Sequence, residues 1–463
     1  MKLGALLTLA LPSVVLAGVA DCIPMRWPSG DPASIQILSG SPVSCLLLER
    51  GQWSRSFVEA ASRLQIRTLG VVRRSADVQD VVQAARGIGI SAVVLEGDFE
   101  AGEIDRVSNT LPIVLLSSRR RMLAPSPAEV IGTTEAVWPG IRILSNNGSA
   151  AAGPSSAPWI DTNAGFVRFI RSLNARTVWI GNLPPEKQVI TPERYLMAIT
   201  DDASVGAQWI VALDDDFQSR LTARESKTMA AWNRICTYLR FFDKQKELTH
   251  LLWSSELLVI EDVKDGGLLT GGLLDMVESR HTPFRVSTSS RLTPQDLNST
   301  KIVVDMEGQR IPEEKRALLT GQANGGPVVI SPPPGWQLPA MPGFVLSFDL
   351  LAKSDLKELE SVWDRISIAT GRKNLGVRVF NGAGMLSSIQ ATPKRERLVV
   401  MLVNYTGYPV ESVTVYFPDS RKRVQMITPE ENPKALKTYA LEDQDGSGVE
   451  IDKMDRVAIL IAE

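Results

Sequence analysis

Short apolar runs alternate with amphipathic segments between about residues 40 and 255. Segments 54–64 and 76–85 carry apolar side chains at the spacing of one helix face. Strands buried on both faces contain continuous apolar runs, and their alternation with helices indicates parallel strands joined by crossover helices. Six to eight such strands fit a closed (β/α)8-type barrel better than an open sheet. The predicted strands are residues 43–48, 66–72, 90–95, 111–116, 178–180 and 209–213.

An irregular stretch, residues 118–157, interrupts this alternation. It contains Pro125, Pro127 and two glycine-containing turn signals, which predict a long loop and leave at least one strand undefined.

Two further units follow the barrel, which we assign to residues 21–255. Residues 256–350 predict a small open α/β sheet of flavodoxin type, with strands at 257–260, 284–287, 301–305 and 328–331. Residues 351–463 predict a helical linker, 353–369, and then a β-sandwich, because their apolar positions alternate with period two.

The N-terminus, residues 1–20, has the pattern of a secretory signal peptide. A basic residue precedes a short apolar run, and small residues at Gly18 and Ala20 favour cleavage before Asp21; residues 15–17 offer an earlier cut. A retained anchor is the alternative. Cleavage would leave no membrane span and a secreted or periplasmic protein, in which Cys22 and Cys45 can pair. Cys236 lies in a helical pattern as an apolar core residue.

Composition excludes several classes of function. Lys and Arg total 50 against 52 Asp and Glu, a net charge of −2, so no global field favours nucleic acid or an anionic membrane. Two histidines and three cysteines are too few for multi-ligand zinc sites or iron-sulfur clusters. We therefore predict no cofactor and no metal, and leave homo-oligomerisation open.

In a parallel barrel, reactive groups lie where the strands end at their carboxyl termini. The residues that follow the apolar runs form an acidic rim with amide donors and an arginine. Two carboxylates facing a sugar are what glycoside hydrolysis needs. The rim residues are Glu49, Arg73, Glu96, Asp98, Asp161, Asn163, Asn182 and Asp214 to Asp216.

We predict Glu96 and Asp214 as the catalytic acid/base and nucleophile, in unassigned order. Glu96 ends an apolar run next to Gly97, where a packing role is hard to rationalise; the alternatives are a helix cap or a salt bridge to Arg73. Asp214 follows the last apolar run, and its alternative is also a helix cap. A cation site at the three successive aspartates is the weaker interpretation.

The remaining rim residues are predicted to bind the sugar. Tryptophans 138 and 159 can stack on the apolar face of a pyranose, although ordinary core packing explains them equally well. Two further features favour structural interpretations: His281 as a helix C-terminal cap, and the glycine-rich segment 265–272, which lacks a phosphate-loop pattern, as a mobile loop. The predicted substrate-binding residues are Glu49, Arg73, Asp98, Trp138, Trp159, Asp161, Asn163, Asn182 and Asp216.

This order of parts resembles trimeric beta-galactosidases and related multidomain glycoside hydrolases. The segments Pro158-Trp-Ile-Asp-Thr-Asn163, Val211-Ala-Leu-Asp-Asp-Asp-Phe217 and Val403-Asn-Tyr-Thr-Gly-Tyr-Pro409 are similar to an uncharacterised secreted bacterial family described only as hydrolase-like. The resemblance implies a carbohydrate substrate and a middle unit of flavodoxin or glutamine-amidotransferase type. Because residues 237–463 contain no cysteine, that unit lacks an amidotransferase nucleophile and serves structure or assembly.

One departure counts against catalysis. The resemblance implies an Asn-Glu pair after the fourth strand, whereas the fourth predicted run, residues 111–116, is followed by Ser117-Ser118. The acid must then come from elsewhere, or the barrel is inactive. Two hypotheses follow: a glycoside hydrolase-like protein, and a non-catalytic secreted carbohydrate-binding or assembly protein with a degenerate barrel.

Overall fold

The structure is a computed structural model. It describes residues 18–75, 77–139, 142–146, 149–153, 160, 162–261, 274, 278, 281–297, 300–305, 313–320, 327–331, 353–370, 376–382, 384–440 and 446–463. The first 17 residues of the predicted leader, Trp159, Asp161 and the glycine-rich segment 265–272 lie outside this set.

Eight parallel strands form a closed barrel, as the sequence predicts. Its sheet has the order β1-β2-β3-β4-β5-β6-β9-β10, and a parallel bridge between Met25 and Val211 brings the last strand back to the first. Two hydrogen bonds complete this closure: Arg26 N donates to Val211 O at 2.8 Å and Val211 N to Pro24 O at 3.0 Å. The strands are β1 (Pro24–Arg26), β2 (Cys45–Leu48), β3 (Arg67–Arg73), β4 (Ala92–Glu96), β5 (Ile113–Leu116), β6 (Val130–Thr133), β9 (Thr177–Ile180) and β10 (Gln208–Trp209).

The sequence pattern makes residues 111–116 the fourth strand, where an Asn-Glu pair is missing, and the structure corrects this strand count. The first strand, β1, has only three residues, contains Pro24 and Arg26, and was missed because it is too short for an apolar run. The fourth strand is therefore Ala92–Glu96, and Ile113–Leu116 is the fifth. The irregular stretch contributes β6 and an antiparallel hairpin, β7 (Arg142–Asn146) and β8 (Ser149–Gly153).

Helices cover the outside of the barrel. Ser54 begins the first of them as its N-cap, since its Oγ accepts a hydrogen bond from Phe57 N at 3.2 Å. The helices are α1 (Arg55–Arg63), α2 (Val78–Ile88), α3 (Ala101–Ser108), α4 (Ala164–Leu173), α5 (Pro192–Ser204), α6 (Asp215–Thr222), α7 (Ser226–Lys244) and α8 (Lys246–Thr249). Short 3-10 turns span Val19–Asp21, Ser34–Leu38, Arg50–Gln52 and Arg121–Leu123.

A disulfide closes the amino-terminal end of the barrel interior. Cys22 and Cys45 are bonded, with 5.6 Å between their Cα atoms, and both belong to the apolar cluster inside the barrel together with Val19 and Leu47. A cross-link over 23 residues stabilises the fold by about 3 kcal/mol in the chain-entropy account. Cys236 is a buried free cysteine, and burial raises the pKa of its thiol to about 12.

The middle unit is a four-stranded parallel sheet, with the order β13-β12-β14-β15. Its elements are β12 (Leu257–Glu261), β13 (Arg285–Thr288), α9 (Pro294–Leu297), β14 (Ile302–Asp305), α10 (Glu313–Thr320) and β15 (Val328–Ile330). The predicted linker helix, α11 (Lys353–Thr370), packs on β14 and β15 and so extends this unit.

Two antiparallel sheets form the C-terminal part, and their facing side chains, such as Val400 and Val415, share one apolar core. The larger sheet has the order β11-β17-β18-β24-β20-β21 and the smaller one β16-β19-β23-β22. The edge strand β11 comes from the end of the predicted barrel segment. The strands are β11 (Leu252–Trp253), β16 (Arg378–Phe380), β17 (Met385–Ala391), β18 (Leu398–Asn404), β19 (Val410–Phe417), β20 (Val424–Ile427), β21 (Lys434–Leu436), β22 (Thr438–Ala440), β23 (Ser447–Met454) and β24 (Val457–Ala462).

Within the described ranges, no helix combines the length and apolarity needed to cross a bilayer.

Candidate functional site

Charged side chains follow the apolar interior of the barrel at the carboxyl end of four neighbouring strands. Leu69 and Val71 of β3 belong to the interior cluster, and so do Ala92 and Val94 of β4. Since side chains alternate across a strand, the next inward position of β3 is Arg73 and that of β4 is Glu96. The same alternation gives Glu49 after β2 and Arg26 at the end of β1.

These four side chains form one network, which we call the mouth cluster: Arg26, Glu49, Arg73 and Glu96. Arg26 Nη2 lies 2.5 Å from Glu96 Oε2, and Arg26 Nη1 lies 3.6 Å from Glu49 Oε1. Arg73 donates to both oxygens of Glu49, at 2.5 and 2.9 Å, and from Nη2 to Glu96 Oε1 at 3.4 Å. Each carboxylate therefore contacts both guanidinium groups.

The mouth cluster has an inner and an outer pair. The side chains of Arg26 and Glu96 are 13% and 16% exposed, whereas those of Glu49 and Arg73 are 40% and 58% exposed. The hydrogen bond that Arg73 donates to Glu49 raises the pKa of Arg73 above its usual value. Arg73 is the member that solvent or a ligand reaches first.

The shared arginine limits the distance between the two carboxylates. Glu49 Oε1 and Glu96 Oε1 lie 2.9 and 3.4 Å from the same atom, Arg73 Nη2. The separation of these two oxygens cannot exceed the sum of those distances, so the two carboxyl groups are close neighbours at the barrel mouth. Glu49, rather than Asp214, is thus the carboxylate that shares an arginine with Glu96.

The contacts of Asp214 contradict its assignment to the catalytic pair. It follows the eighth strand, which lies diametrically opposite the fourth in a closed eight-stranded barrel. Its side chain is buried and caps α6: Oδ1 accepts from Phe217 N at 3.0 Å, and Oδ2 accepts from Ile190 N at 3.2 Å and from the Tyr195 hydroxyl at 2.8 Å. Both oxygens are engaged in structure, as the helix-cap alternative requires.

Packing also contradicts the role of Trp138 as a sugar platform. The side chain is 3% exposed and packs edge-on against Tyr195 and Trp209, with ring centroids 5.6 and 4.9 Å away. No face of the indole is open to a ligand.

The other predicted ligands of the sugar lie in different surroundings. Asp98 is exposed beside Glu96 and accepts from the backbone and hydroxyl of Ser118, both at 2.9 Å. Asn182 is half-buried and donates to Ala136 O at 2.7 Å. Asp216 pairs with Arg220 on the surface of α6.

Asn163 belongs to a buried polar group that links all three parts of the chain, which contradicts its sugar-binding role. Its side chain, 0% exposed, accepts from Arg119 Nη2 at 2.9 Å and donates to Asp201 Oδ2 at 3.2 Å. Asp201 also accepts from the hydroxyl of Tyr405, in the C-terminal sheets. Adjacent to it, the carboxylate oxygens of Asp202 make no hydrogen bond within the described chain.

A buried ion pair extends this group into the middle unit. Arg168 of α4 lies 2.6 Å from Glu278, and the two side chains are 2% and 3% exposed. Burial raises the pKa of Glu278 to about 7 and that of Asp201 to about 6, and burial together with Asp201 raises the pKa of Asp202. We call Arg119, Asn163, Arg168, Asp201, Asp202, Glu278 and Tyr405 the junction cluster.

Sequence reasoning missed Arg26 and Arg119. Arg26 is the first charged residue after the apolar Ile23-Pro-Met25, and this change was the available signal, although β1 itself is too short to stand out. Nothing local distinguishes Arg119 from Arg120 and Arg121. Among the described residues, no group of three metal-ligating side chains converges.

No family model matches the chain, and no curated protein sequence matches it. Solved structures do match it. An alpha-L-fucosidase, isoenzyme 2 from Paenibacillus thiaminolyticus, aligns with a TM-score of 0.61 and 9% identity over 95% of this chain and 99% of that one. The barrel is a TIM barrel. A catalytic mutant of Gan42B, a GH42 beta-galactosidase from G. stearothermophilus, aligns with a TM-score of 0.57 and 9% identity over 96% and 98% of the two chains.

At this identity the similarity establishes the fold alone. It extends beyond the TIM barrel to the units that follow, because each alignment covers nearly the whole of both chains.

Proposed function

We propose that the chain is a glycoside hydrolase-like enzyme that acts on a glycan through Glu49 and Glu96. The observation that carries this proposal is that both carboxylates, from separate strands, meet on Arg73 at the open end of the barrel. Retaining glycosidases use two carboxyl groups about 5 to 5.5 Å apart, which the limit set by Arg73 allows. The TIM-barrel likeness to solved glycoside hydrolases supports a carbohydrate substrate.

Retaining glycosidases use one carboxyl group as the nucleophile and the other as the acid and base. Glu49 and Glu96 are each paired with both arginines, so we propose them as this pair in unassigned order. In the proposed reaction, one carboxylate attacks the anomeric carbon as the other donates a proton to the leaving glycosidic oxygen. The second carboxylate then removes a proton from the water that cleaves the glycosyl-enzyme bond.

Arg73 must move for a sugar to reach this pair. Its side chain is 58% exposed, and an ion pair at such a position contributes about 0 to 1 kcal/mol, so displacement costs little. The displaced guanidinium can then bind a sugar hydroxyl, together with the exposed Asp98.

The position of Glu96 also supports the proposal. The resemblance to multidomain glycoside hydrolases implies a glutamate after the fourth strand, and Glu96 ends that strand. Leu95 stands where the resemblance implies asparagine, so the pair is incomplete.

We propose export from the cytoplasm as well. The Cys22–Cys45 disulfide supports it, because such bonds persist in oxidising compartments.

The test is hydrolysis of an oligosaccharide panel by the wild type and by Glu96→Gln and Glu49→Gln. We expect wild-type cleavage of at least one glycan and a loss of about 100-fold or more in kcat for each variant. Glu411→Gln, an exposed change on the C-terminal sheets, is the control and should keep full activity. Unchanged activity of Glu96→Gln, with the fold verified by circular dichroism, would contradict the proposal.

A specific observation favours a second candidate function, glycan binding without hydrolysis. The four charges of the mouth cluster compensate one another. Such a cluster can also have a purely structural role in a barrel without catalytic activity. This candidate predicts that the wild type binds a glycan of the panel and cleaves none.

A further inference from the structure

A cavity of about 300 Å³ lies at the amino-terminal end of the barrel, on the side opposite the mouth cluster. It lies where β1, β9 and β10 begin, since Pro24, Thr177 and Gln208 are in its wall, and helices α5, α7 and α8 enclose it. We call it the basal pocket. The proposed reaction at the carboxyl ends of the strands does not use it.

The floor of the basal pocket is apolar and partly aromatic. Ile23, Ile199, Trp209, Leu239 and Phe242 line it, and each is buried. Such a floor accommodates a hydrocarbon or aromatic group, and the faces of the indole and phenyl rings attract cations.

The polar groups around this floor are mostly acceptors. Asp243 and Glu247 are exposed at the rim, and neither makes an ion pair within the described part of the chain. Gln208, in the wall, has an Oε1 atom that makes no hydrogen bond there. A ligand that satisfies these groups must supply hydrogen-bond donors.

His250 adds another acceptor. Its Nδ1 lies 2.7 Å from the carbonyl oxygen of Lys246, which can only accept, so Nδ1 carries the hydrogen. Burial lowers the pKa of this imidazole, which keeps it neutral at pH 7 with a bare Nε2. The rim's lysine, Lys246, is engaged by Asp21 at 3.3 Å.

We propose that the basal pocket binds a small amphipathic cation, with an ammonium group at the Asp243 and Glu247 rim and an apolar body over Trp209 and Phe242. Asp21 compensates the charge of Lys246, so Asp243 and Glu247 leave the rim with a net negative charge, which disfavours anions. The apolar floor disfavours a free sugar, whose hydroxyls would lack partners there. The site is independent of the proposed glycan chemistry.

The test compares three probes of similar shape by calorimetry: 2-phenylethylammonium, 2-phenylethanol and 3-phenylpropionate. We expect the ammonium to bind at least about 5-fold more tightly than the alcohol, the equivalent of one modest charge interaction, and the carboxylate not to bind. Equal binding of all three probes, or binding of none, would overturn the proposal.

Variants locate the binding. Asp243→Asn combined with Glu247→Gln removes two exposed charges, leaves the core intact, and should weaken ammonium binding by about 5-fold or more. Glu59→Gln combined with Asp80→Asn makes matched changes on other exposed helical positions and should leave binding unchanged. Ammonium binding that survives the first pair, or that falls equally with the second, also contradicts the proposal. Glu96→Gln should bind the probe as the wild type does.

Discussion

At the scale of single residues, the surroundings of a carboxylate decide what it can do. Glu96 and Asp214 look alike in the sequence, since each follows an apolar run. In the structure, Glu96 is paired with arginines in an open mouth, whereas Asp214 is enclosed by a helix N-terminus and a tyrosine hydroxyl. The first arrangement suits chemistry and the second suits stability.

Substitutions at Asp214 separate these roles. Asp214→Ala removes the N-cap and leaves the buried Tyr195 hydroxyl without its acceptor, so we expect the free energy of unfolding to fall by about 2 to 4 kcal/mol. Asp214→Asn keeps a capping oxygen and should retain hydrolysis within about 2-fold of wild type, as a residue outside the reaction does. Urea unfolding and kcat measure the two effects. Loss of kcat in a stably folded Asp214→Asn variant would indicate that Asp214 takes part in the reaction.

At the scale of elements, the 3-10 turn Val19–Asp21 packs with the barrel, although it begins within the predicted leader, residues 1–20. Val19 is 5% exposed and packs inside the barrel in the cluster of the disulfide. Cleavage before Asp21 would remove this side chain from the core. The earlier cut, after Ala17, would keep it.

We therefore expect the exported protein to begin at Gly18. Intact-mass spectrometry of protein purified from the secreted or periplasmic fraction measures the N-terminus directly. A mature chain that begins at Asp21 would show that Val19 is dispensable for closing the barrel.

Much of the element order could be predicted because it rests on local pattern. The buried strands β2 to β5 are continuous apolar runs, and the sandwich strands alternate with period two. The strand β1 could not be found in this way, since it contains only Pro24, Met25 and Arg26. The strand β6 has only four residues and lies between two prolines and a hairpin, so no long apolar run marks it.

The candidate site could be predicted only in part, for a physical reason. Glu49, Arg73 and Glu96 stand where strands end, so their position at the mouth follows from the pattern. Which side chains meet depends on strand order and barrel closure, and a local sequence pattern contains neither. In the structure Glu49 shares Arg73 with Glu96, whereas Asp214 lies after a different strand. The pattern predicted Asn163 and Trp138 as sugar ligands, but both side chains are buried. Burial by distant elements cannot be seen in a local sequence pattern.

At the scale of the whole molecule, the junction cluster makes the folding stability of the chain depend on pH. Its acids have raised pKa values in the folded state, about 6 for Asp201 and about 7 for Glu278, so the folded protein binds more protons than the unfolded one. Their contribution to stability is complete at low pH and is lost as the pH rises through these values. His250 and His281, whose pKa values burial lowers, act in the opposite direction below about pH 6.5.

Between about pH 6.5 and 8 we expect the free energy of unfolding to fall by about 1 kcal/mol or more, mainly because Glu278 loses its proton in this interval. Asp202→Asn removes one ionisable group from the junction cluster and should flatten this dependence. Urea unfolding at several pH values tests it. A free energy of unfolding that rises across this interval would mean that the junction acids are not protonated in the folded protein.

The proposed function depends on Glu49 and Glu96 acting as a close carboxylate pair on a glycan. Proton NMR of the first sugar released by the wild-type protein examines this role, because the separation of the pair determines the anomer. We expect a first product with the anomeric configuration of the substrate, formed about 100-fold or more slowly by Glu96→Gln. An inverted first product, or formation of the same product by Glu96→Gln at the wild-type rate, would show that the two carboxylates do not act in this way.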